Sequence, residues 1–379
     1  MKRFFLLLIF SFFAYISWPL LNDHLAHSDY ALVINNIKAE IDGLKGNAEY
    51  SAAIDSFYEE IHQLLVGLDQ TIEKQPKEIK AAPKQIKKPN LTTPTQQQFS
   101  VNNIELGDLK EKVESTVGTE KRSSYNEYGI KWYAYHENYQ HFFMVAYDQN
   151  NKVVGLYTNQ DLIASTKGIK RGSAKEFVRQ QLGNPLTKIE KGNIYYQFKG
   201  DQDNDLFLID GSYVTIFYDK HENNTVTSIQ MISEKLEKNK QDFYAEETPQ
   251  LIKGFEYQLF DLTNAARVNH GLQILTWNDH VKETAKKHSI DMAEHHYFDH
   301  NNLQGQSPFD RMHQDHVVFS VAGENLAYGQ FSSVFAHEGL MNSQGHRDNI
   351  LRSEFEFLGV GVAFNTESQP YYTENFYTN

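Results

Sequence analysis

Two stretches in the middle of the chain match each other at an offset of 65 residues, and this repeat constrains the fold more than any other feature. Ile104-Glu105-Leu106-Gly107 pairs with Ile169-Lys170-Arg171-Gly172, Val113 with Val178, Val117 with Leu182, and Gly118 with Gly183. Each copy starts at a turn glycine, continues as a short amphipathic helix and closes on a second glycine, as helix C-termini do. Strand-like runs follow. In the first copy they are 130–135, 141–147 and 152–157; in the second, 194–198, 213–218 and 226–231. Their Tyr, Phe, Val and Ile at alternating positions suit a sheet with one covered face. The spacing therefore predicts a duplicated α+β domain over 100–235, one helix and three strands per copy. Its tyrosines can line a ligand groove, but sheet packing explains them more simply.

The 379 residues are too many for one ordinary core, so several domains are expected. Met1-Lys2-Arg3 precedes 18 uncharged residues, Phe4 to Leu21, which as a helix would be about 27 Å long, close to a bilayer core. Segment 1–22 reads as a membrane anchor or a cleaved signal. Trp18, Pro19, Leu20 and Leu21 are poor cleavage neighbours and favour the anchor. The basic flank predicts an extracytoplasmic remainder, either tethered by this helix or secreted. Val33, Ile37, Ile41 and Leu44, then Ile54, Phe57, Ile61, Leu64, Leu65 and Leu68, recur at helical spacing and predict a helical stalk over 29–72. Residues 73–99 form a Lys/Pro/Gln linker. Its lysines can touch an anionic envelope polymer or lipid surface, although such runs are usually just solvated. A connector over 236–250 leads to a last domain, 251–379. The net charge of -13 argues against nucleic acid as a partner. The chain has no cysteine, which excludes disulfides, thiolate zinc sites and cysteine nucleophiles. Any metal must be held by His, Asp or Glu.

Residues 253–379 hold 10 of the 16 histidines. Phe255, Leu259, Leu262 and Ala266 predict a helix ending at Asn269-His270-Gly271. A second helix is capped by Asn278 or Asp279 and carries Val281, Ala285, His288 and Met292. Strands are expected near 317–329, 357–364 and 370–377, with a helix over 334–341. Helices flanking a small sheet make an α/β layered domain. Three polar side chains stand out at the edges of glycine-marked turns: His300 in Tyr297-Phe298-Asp299-His300, Glu324 in Gly323-Glu324-Asn325, and His346 in Gly345-His346-Arg347. Such a set can bind a metal, move a proton or clamp a polar ligand. The pair His337-Glu338 begins like a zinc-protease helix, but Met341 stands where that motif needs its second histidine. Ser307 and Ser343 lack a nucleophile-elbow context.

Five separated motifs carry a family resemblance: Phe-Asp-His at 298–300, Ser-Pro-Phe-Asp-Arg at 307–311, Gly-Glu-Asn-Leu-Ala at 323–327, Asn-Ser-Gln-Gly-His-Arg-Asp-Asn-Ile-Leu at 342–351, and Leu-Gly-Val-Gly-Val at 358–362. In this order they resemble the bacterial branch of the CAP superfamily, also called SCP/PR-1-like. The repeat domain resembles the CAP-associated N-terminal module that precedes such domains in Firmicutes. The resemblance implies an α-β-α sandwich over roughly 255–379, with a cleft lined by two histidines and two acids. His300, Glu324 and His346 take three of those places. The fourth falls at or near Ser343, where no carboxylate stands, and Glu338, about one turn away, is the candidate to compensate. Leu340 replaces the family's tryptophan, and Glu374 stands where a glutamine is common.

Two readings of function follow. The first is a binding or interaction module at the cell envelope, for an envelope ligand or protein partner, whose His300, His346 and Glu324 can hold zinc or another divalent metal. The second is a metal-assisted, peptidase-like hydrolase using the same cleft, with Glu338 or Glu374 as base. The missing second acid favours the first, and whether the chain is an enzyme stays open at this level. Arg311 and Arg347 read as structural salt-bridge partners, and Asn325 and Asn349 as turn and cap residues.

Overall fold

The computed structural model describes residues 86–191, 194–197, 203–240 and 242–379. The anchor expected over 1–22 and the stalk over 29–72 lie outside the described residues. Among the described residues no helix is long and apolar enough to cross a membrane.

The middle domain contains, in chain order, β1 (Phe99–Val101), α1 (Lys110–Val117), β2 (Arg122–Tyr125), β3 (Lys131–Glu137), β4 (Gln140–Tyr147), β5 (Val153–Thr158), β6 (Ile163–Ser165), α2 (Lys175–Leu182), β7 (Lys188–Lys191), β8 (Ile194–Gln197), β9 (Asn204–Ile209), β10 (Ser212–Asp219), β11 (Thr225–Ser233) and α3 (Glu234–Asn239). The glycines that flag the repeat adopt matching backbones: φ is 92° at Gly107 and 83° at Gly172, 78° at Gly118 and 85° at Gly183. No β-carbon is tolerated comfortably there, so glycine ends both helices at the same point. Seven strands form one antiparallel sheet in the order β2-β3-β4-β5-β11-β10-β9. Two expectations need correction. Of the run expected at 194–198, the described part is β8, which among the described residues pairs with β7 and not with this sheet, and β9 takes the outer place. The sheet is also covered on both faces. Phe143, Val145, Leu156, Ile216 and Ile229 pack with Val113 and Val178 of the two short helices. Met144, Ala146, Tyr157, Phe217 and Ile232 pack with the C-terminal domain. Strands buried on both faces lose the clean alternation that one-sided strands show.

The C-terminal domain runs α4 (Pro249–Asn269), β12 (Thr276–Trp277), α5 (Asp279–His295), α6 (Pro308–Gln314), β13 (Val321–Tyr328), α7 (Ser333–Met341), α8 (Gln344–Ile350), β14 (Phe357–Phe364) and β15 (Pro370–Thr378). Its sheet has the order β12-β14-β15-β13. Helix α5 lies on one face, pressed so close that a Cβ at Gly359 would stand 2.3 Å from the Lys282 amide nitrogen and one at Gly361 2.1 Å from that of Lys286. The other face carries Val360, Val362, Tyr372 and Phe376 against Phe255 and Leu259 of α4. Helix α4 is a shared wall between the two domains, so its polar residues are buried too. Asp261 accepts from Tyr139 Oη at 2.8 Å and pairs with Arg122 at 3.0 Å, both from the middle domain. Burial lifts the Asp261 carboxyl to about 6, with Arg122 pulling it back.

Candidate functional site

His296 takes the left-handed conformation, φ 55°, and stops α5. The chain then loops outward through His300 to Ser307. There a reciprocal capping box with Asp310 starts α6 and sets Arg311 facing inward. Arg311 organises the loop: Nη1 donates to the carbonyls of His300 (2.7 Å) and Gln306 (3.0 Å), and Nη2 to Glu324 Oε2 (2.6 Å). The Glu324 side chain is only 1% exposed, so its charge must be satisfied inside the protein. Arg311 supplies one partner, and His300 Nδ1 the other at 3.0 Å from Oε1.

His346 arrives from α8. Its Nδ1 meets Ser343 Oγ at 2.8 Å. Burial lowers its pKa, and His300 lowers it further. Asparagines hold α8 against β13: Asn325 Nδ2 donates to the His346 carbonyl at 3.1 Å, and Asn349 Nδ2 to the Glu324 carbonyl at 3.2 Å and to Asn325 Oδ1 at 3.0 Å. Gly323 permits this approach, since a Cβ there would stand 2.9 Å from Asn349 Oδ1. The turn-and-cap reading of Asn325 and Asn349 missed this clasp. The motif spacing was its only trace in the sequence.

Two of the five proposed cleft residues lie elsewhere. In the ladder between β13 and β15, Glu324 pairs with Asn375 and Asn325 with Glu374. Cross-strand partners share a face and neighbours alternate, so Glu374 sits on the sheet face opposite Glu324. There it accepts from Thr263 Oγ1 (2.8 Å) and Asn325 Nδ2 (3.1 Å), and burial raises its carboxyl to about 7. Glu338 points from α7 into the middle domain, where Tyr157 Oη and Ser228 Oγ each donate to Oε1 at 2.6 Å. It does not replace the acid missing at Ser343. The cleft keeps His300, Glu324 and His346. Among the described residues no three His, Asp or Glu side chains converge to hold a metal ion. Glu324 is not a third ligand here, because Arg311 and His300 occupy its oxygens. What remains is an imidazole pair whose Nδ1 atoms are both engaged and whose Nε2 atoms have no protein partner among the described residues.

The model of the cysteine-rich secretory protein family, CAP, matches residues 260–376, and that of the CAP-associated N-terminal domain matches 106–243. The chain is 31% identical over 290 residues to the uncharacterized membrane protein YlbC of Bacillus subtilis, covering 72% of this chain and 82% of that protein. The chain belongs to the CAP superfamily. Its CAP domain follows a CAP-associated N-terminal domain, as the motifs led one to expect. Two solved structures share the fold. An extracellular SCP-domain protein from Bacillus anthracis matches with a TM-score of 0.64 at 24% identity, over 78% of this chain and all of that one. A cysteine-rich secretory protein from Staphylococcus aureus matches with a TM-score of 0.59 at 18% identity, over 76% of this chain and 98% of that one. In this CAP domain, with no cysteine in the chain, packing, the Asn325–Asn349 clasp and the buried Arg267 do the joining. Arg267 donates to the carbonyls of Gln273, Ile350 and Arg352 at 2.9, 2.8 and 2.8 Å.

Proposed function

We propose that this CAP protein is an extracytoplasmic, membrane-tethered binding module, and that its recognition element is the His300–His346 imidazole pair. The observation that carries the reading is that each ring is held through its Nδ1. Glu324 meets His300 at Nδ1 and Ser343 meets His346 at Nδ1, which leaves both Nε2 atoms without a protein partner among the described residues. A carboxylate behind a ligating histidine is a recurrent way to orient it and raise its basicity. A divalent metal would be held by the two Nε2 atoms, with water or ligand completing the shell. Bound there, it would supply Lewis acidity to a polar group entering the cleft. Both carboxylates considered as bases point away from the cleft, so binding is preferred to hydrolysis. The tether rests on the apolar run Phe4–Leu21 behind Lys2-Arg3 and on the membrane-protein description of YlbC. The matched glycine geometry of the two helix-and-strand halves supports their origin by duplication.

The test is calorimetric titration of the full chain with zinc near neutral pH, beside His300→Ala and His346→Ala. Saturable binding in the wild type that disappears in both variants is expected. A folded protein that takes up no zinc would overturn the metal reading and leave the imidazole pair to polar organic ligands.

A further inference from the structure

The N-terminal domain reaches the cleft through one corner of the CAP domain. Helix α8, which carries His346, has only seven residues, too few to keep its shape or place without outside contacts. A serine at the start of a helix ordinarily caps it by accepting from a first-turn amide. Ser343 stands at that position and makes no such bond; its hydroxyl meets His346 Nδ1 instead. The contact that holds the His346 ring therefore depends on how the corner between α7 and α8 is seated.

Part of that seat lies within the CAP domain, where Asn325 and Asn349 tie α8 to β13. The rest comes from the N-terminal domain, where β10 runs into a one-turn helix at Lys220–Glu222. Asn342, directly before Ser343, bonds this stretch twice. Its Nδ2 donates to the Tyr218 carbonyl at 2.8 Å, and its Oδ1 accepts from the Lys220 amide at 3.0 Å. One side-chain amide thus spans two main-chain groups, which fixes orientation as well as distance. Arg347, directly after His346, donates from Nη1 to Asp219 Oδ2 at 2.9 Å and to the Met341 carbonyl at 3.2 Å. Asp219 is itself held, since its Oδ1 accepts from the His221 amide at 2.8 Å. The Arg347 and Asp219 side chains are only 10% and 6% exposed, so salt screens this pair little. Three consecutive residues of the N-terminal domain grip the residues on both sides of the Ser343–His346 pair.

We infer that the N-terminal domain is a positioning element of the cleft: Tyr218, Asp219 and Lys220 seat Asn342 and Arg347, and so hold the Ser343–His346 contact in register. The inference rests on the reading of His346 as part of the recognition element, but the contact it concerns exists without any ligand or metal. The domain is then a working part of the site and not a spacer between tether and CAP domain.

The test reads the His346 ring nitrogens of the full chain by long-range proton–nitrogen NMR, without metal, at about pH 8, where the ring is neutral because burial lowers its pKa. Lys220→Pro deletes the amide proton that Asn342 accepts. Asp219, with φ −89° and ψ 111°, already has the extended backbone that a following proline demands, and proline is tolerated at the first position of a helical turn. Asp219→Asn removes the charge facing Arg347 and keeps the shape. Each variant, and more strongly the two together, is expected to move the His346 Nδ1 and Nε2 resonances toward those of a ring free to exchange tautomers. Lys220→Ala keeps the amide and loses only the exposed pair with Asp203, so it should leave them in place. So should Tyr139→Phe, which removes a contact between the same two domains at Asp261. His346 resonances unchanged in the folded double variant, or in both single variants if the double does not fold, overturn the inference. Movement of equal size in Lys220→Ala or Tyr139→Phe overturns it as well. A wild type that takes up no zinc bears on the metal reading alone, since these resonances are read without metal.

Discussion

Replacing Glu338 by Gln should make the protein's stability less sensitive to pH, by an amount readable from the structure. Glu338 is 5% exposed and lies where α7 of the CAP domain meets the sheet of the N-terminal domain. Desolvation raises its carboxyl from 4.5 to about 7, opposed by its bonds from Ser228 and Tyr157. In the unfolded chain the same group ionises near its ordinary value. Between the two values the folded state holds more protons than the unfolded state, so stability contributed by this group is lost as pH rises through that window. At about 1.36 kcal/mol per pH unit, the full window is worth roughly 3 kcal/mol. Glutamine keeps an oxygen for both hydroxyls and cannot ionise. The stability difference, variant minus wild type, should be small near pH 5 and grow by roughly 3 kcal/mol by about pH 8.5, in favour of the variant. Other titrating groups cancel in this difference. Urea unfolding followed through Trp132 and Trp277, one in each domain, measures it. A difference that stays flat across the range would refute the claim that Glu338 is buried in its neutral form.

Four further outcomes follow from the same geometry. Glu324→Gln should weaken zinc binding by about 10- to 100-fold in calorimetry, because it disturbs the partner that orients His300 without removing a ligand. Gly361→Ala should destabilise the CAP domain by about 3 kcal/mol or prevent its folding, since the new Cβ meets the α5 backbone at 2.1 Å; thermal unfolding reads this. Arg347 pairs with Asp219 of the N-terminal domain at 2.9 Å, both largely buried, so Arg347→Met should cost about 3 kcal/mol in urea unfolding, and adding Asp219→Asn should recover part of it. Gly323→Ala should loosen the Asn325–Asn349 clasp and lower zinc affinity, while far-UV circular dichroism stays unchanged.

The sequence is most legible where the signals are local. A helix stop at Gly271, with φ 72°, an Asn278 cap bonded to the Val281 amide, and the strand at 357–364 were all expected, because caps and short apolar runs act within a few residues. The positions of His300, Glu324 and His346 came from motif spacing; the structure bonds His300 to Glu324 and carries His346 on α8, which Asn325 and Asn349 tie to β13. Glu374 and Glu338 show the limit. Which face Glu374 takes depends on the pairing of Glu324 with Asn375, set between strands about fifty residues apart. Glu338 is claimed by Tyr157 and Ser228, which are 181 and 110 residues away. In both cases the residue type suggested an acid for the cleft, and tertiary pairing spent it elsewhere.

The same reasoning explains why losing the carboxylate at Ser343 need not empty the cleft. An acid at that position and a serine at that position both offer an oxygen to His346 Nδ1, and Ser343 Oγ makes this contact at 2.8 Å. A serine accepts or donates without adding charge, whereas a carboxylate would raise the imidazole pKa. Here burial and His300 both lower it, which favours the neutral ring, the form that can coordinate a metal or accept a hydrogen bond. Ser343→Asp should therefore raise the His346 pKa and make zinc uptake compete with protons near neutrality, a change that NMR titration of the imidazole C–H resonances detects directly. If the His346 resonance titrates at the same pH in Ser343→Asp as in wild type, Ser343 does not govern the ring's charge and this account of the cleft fails.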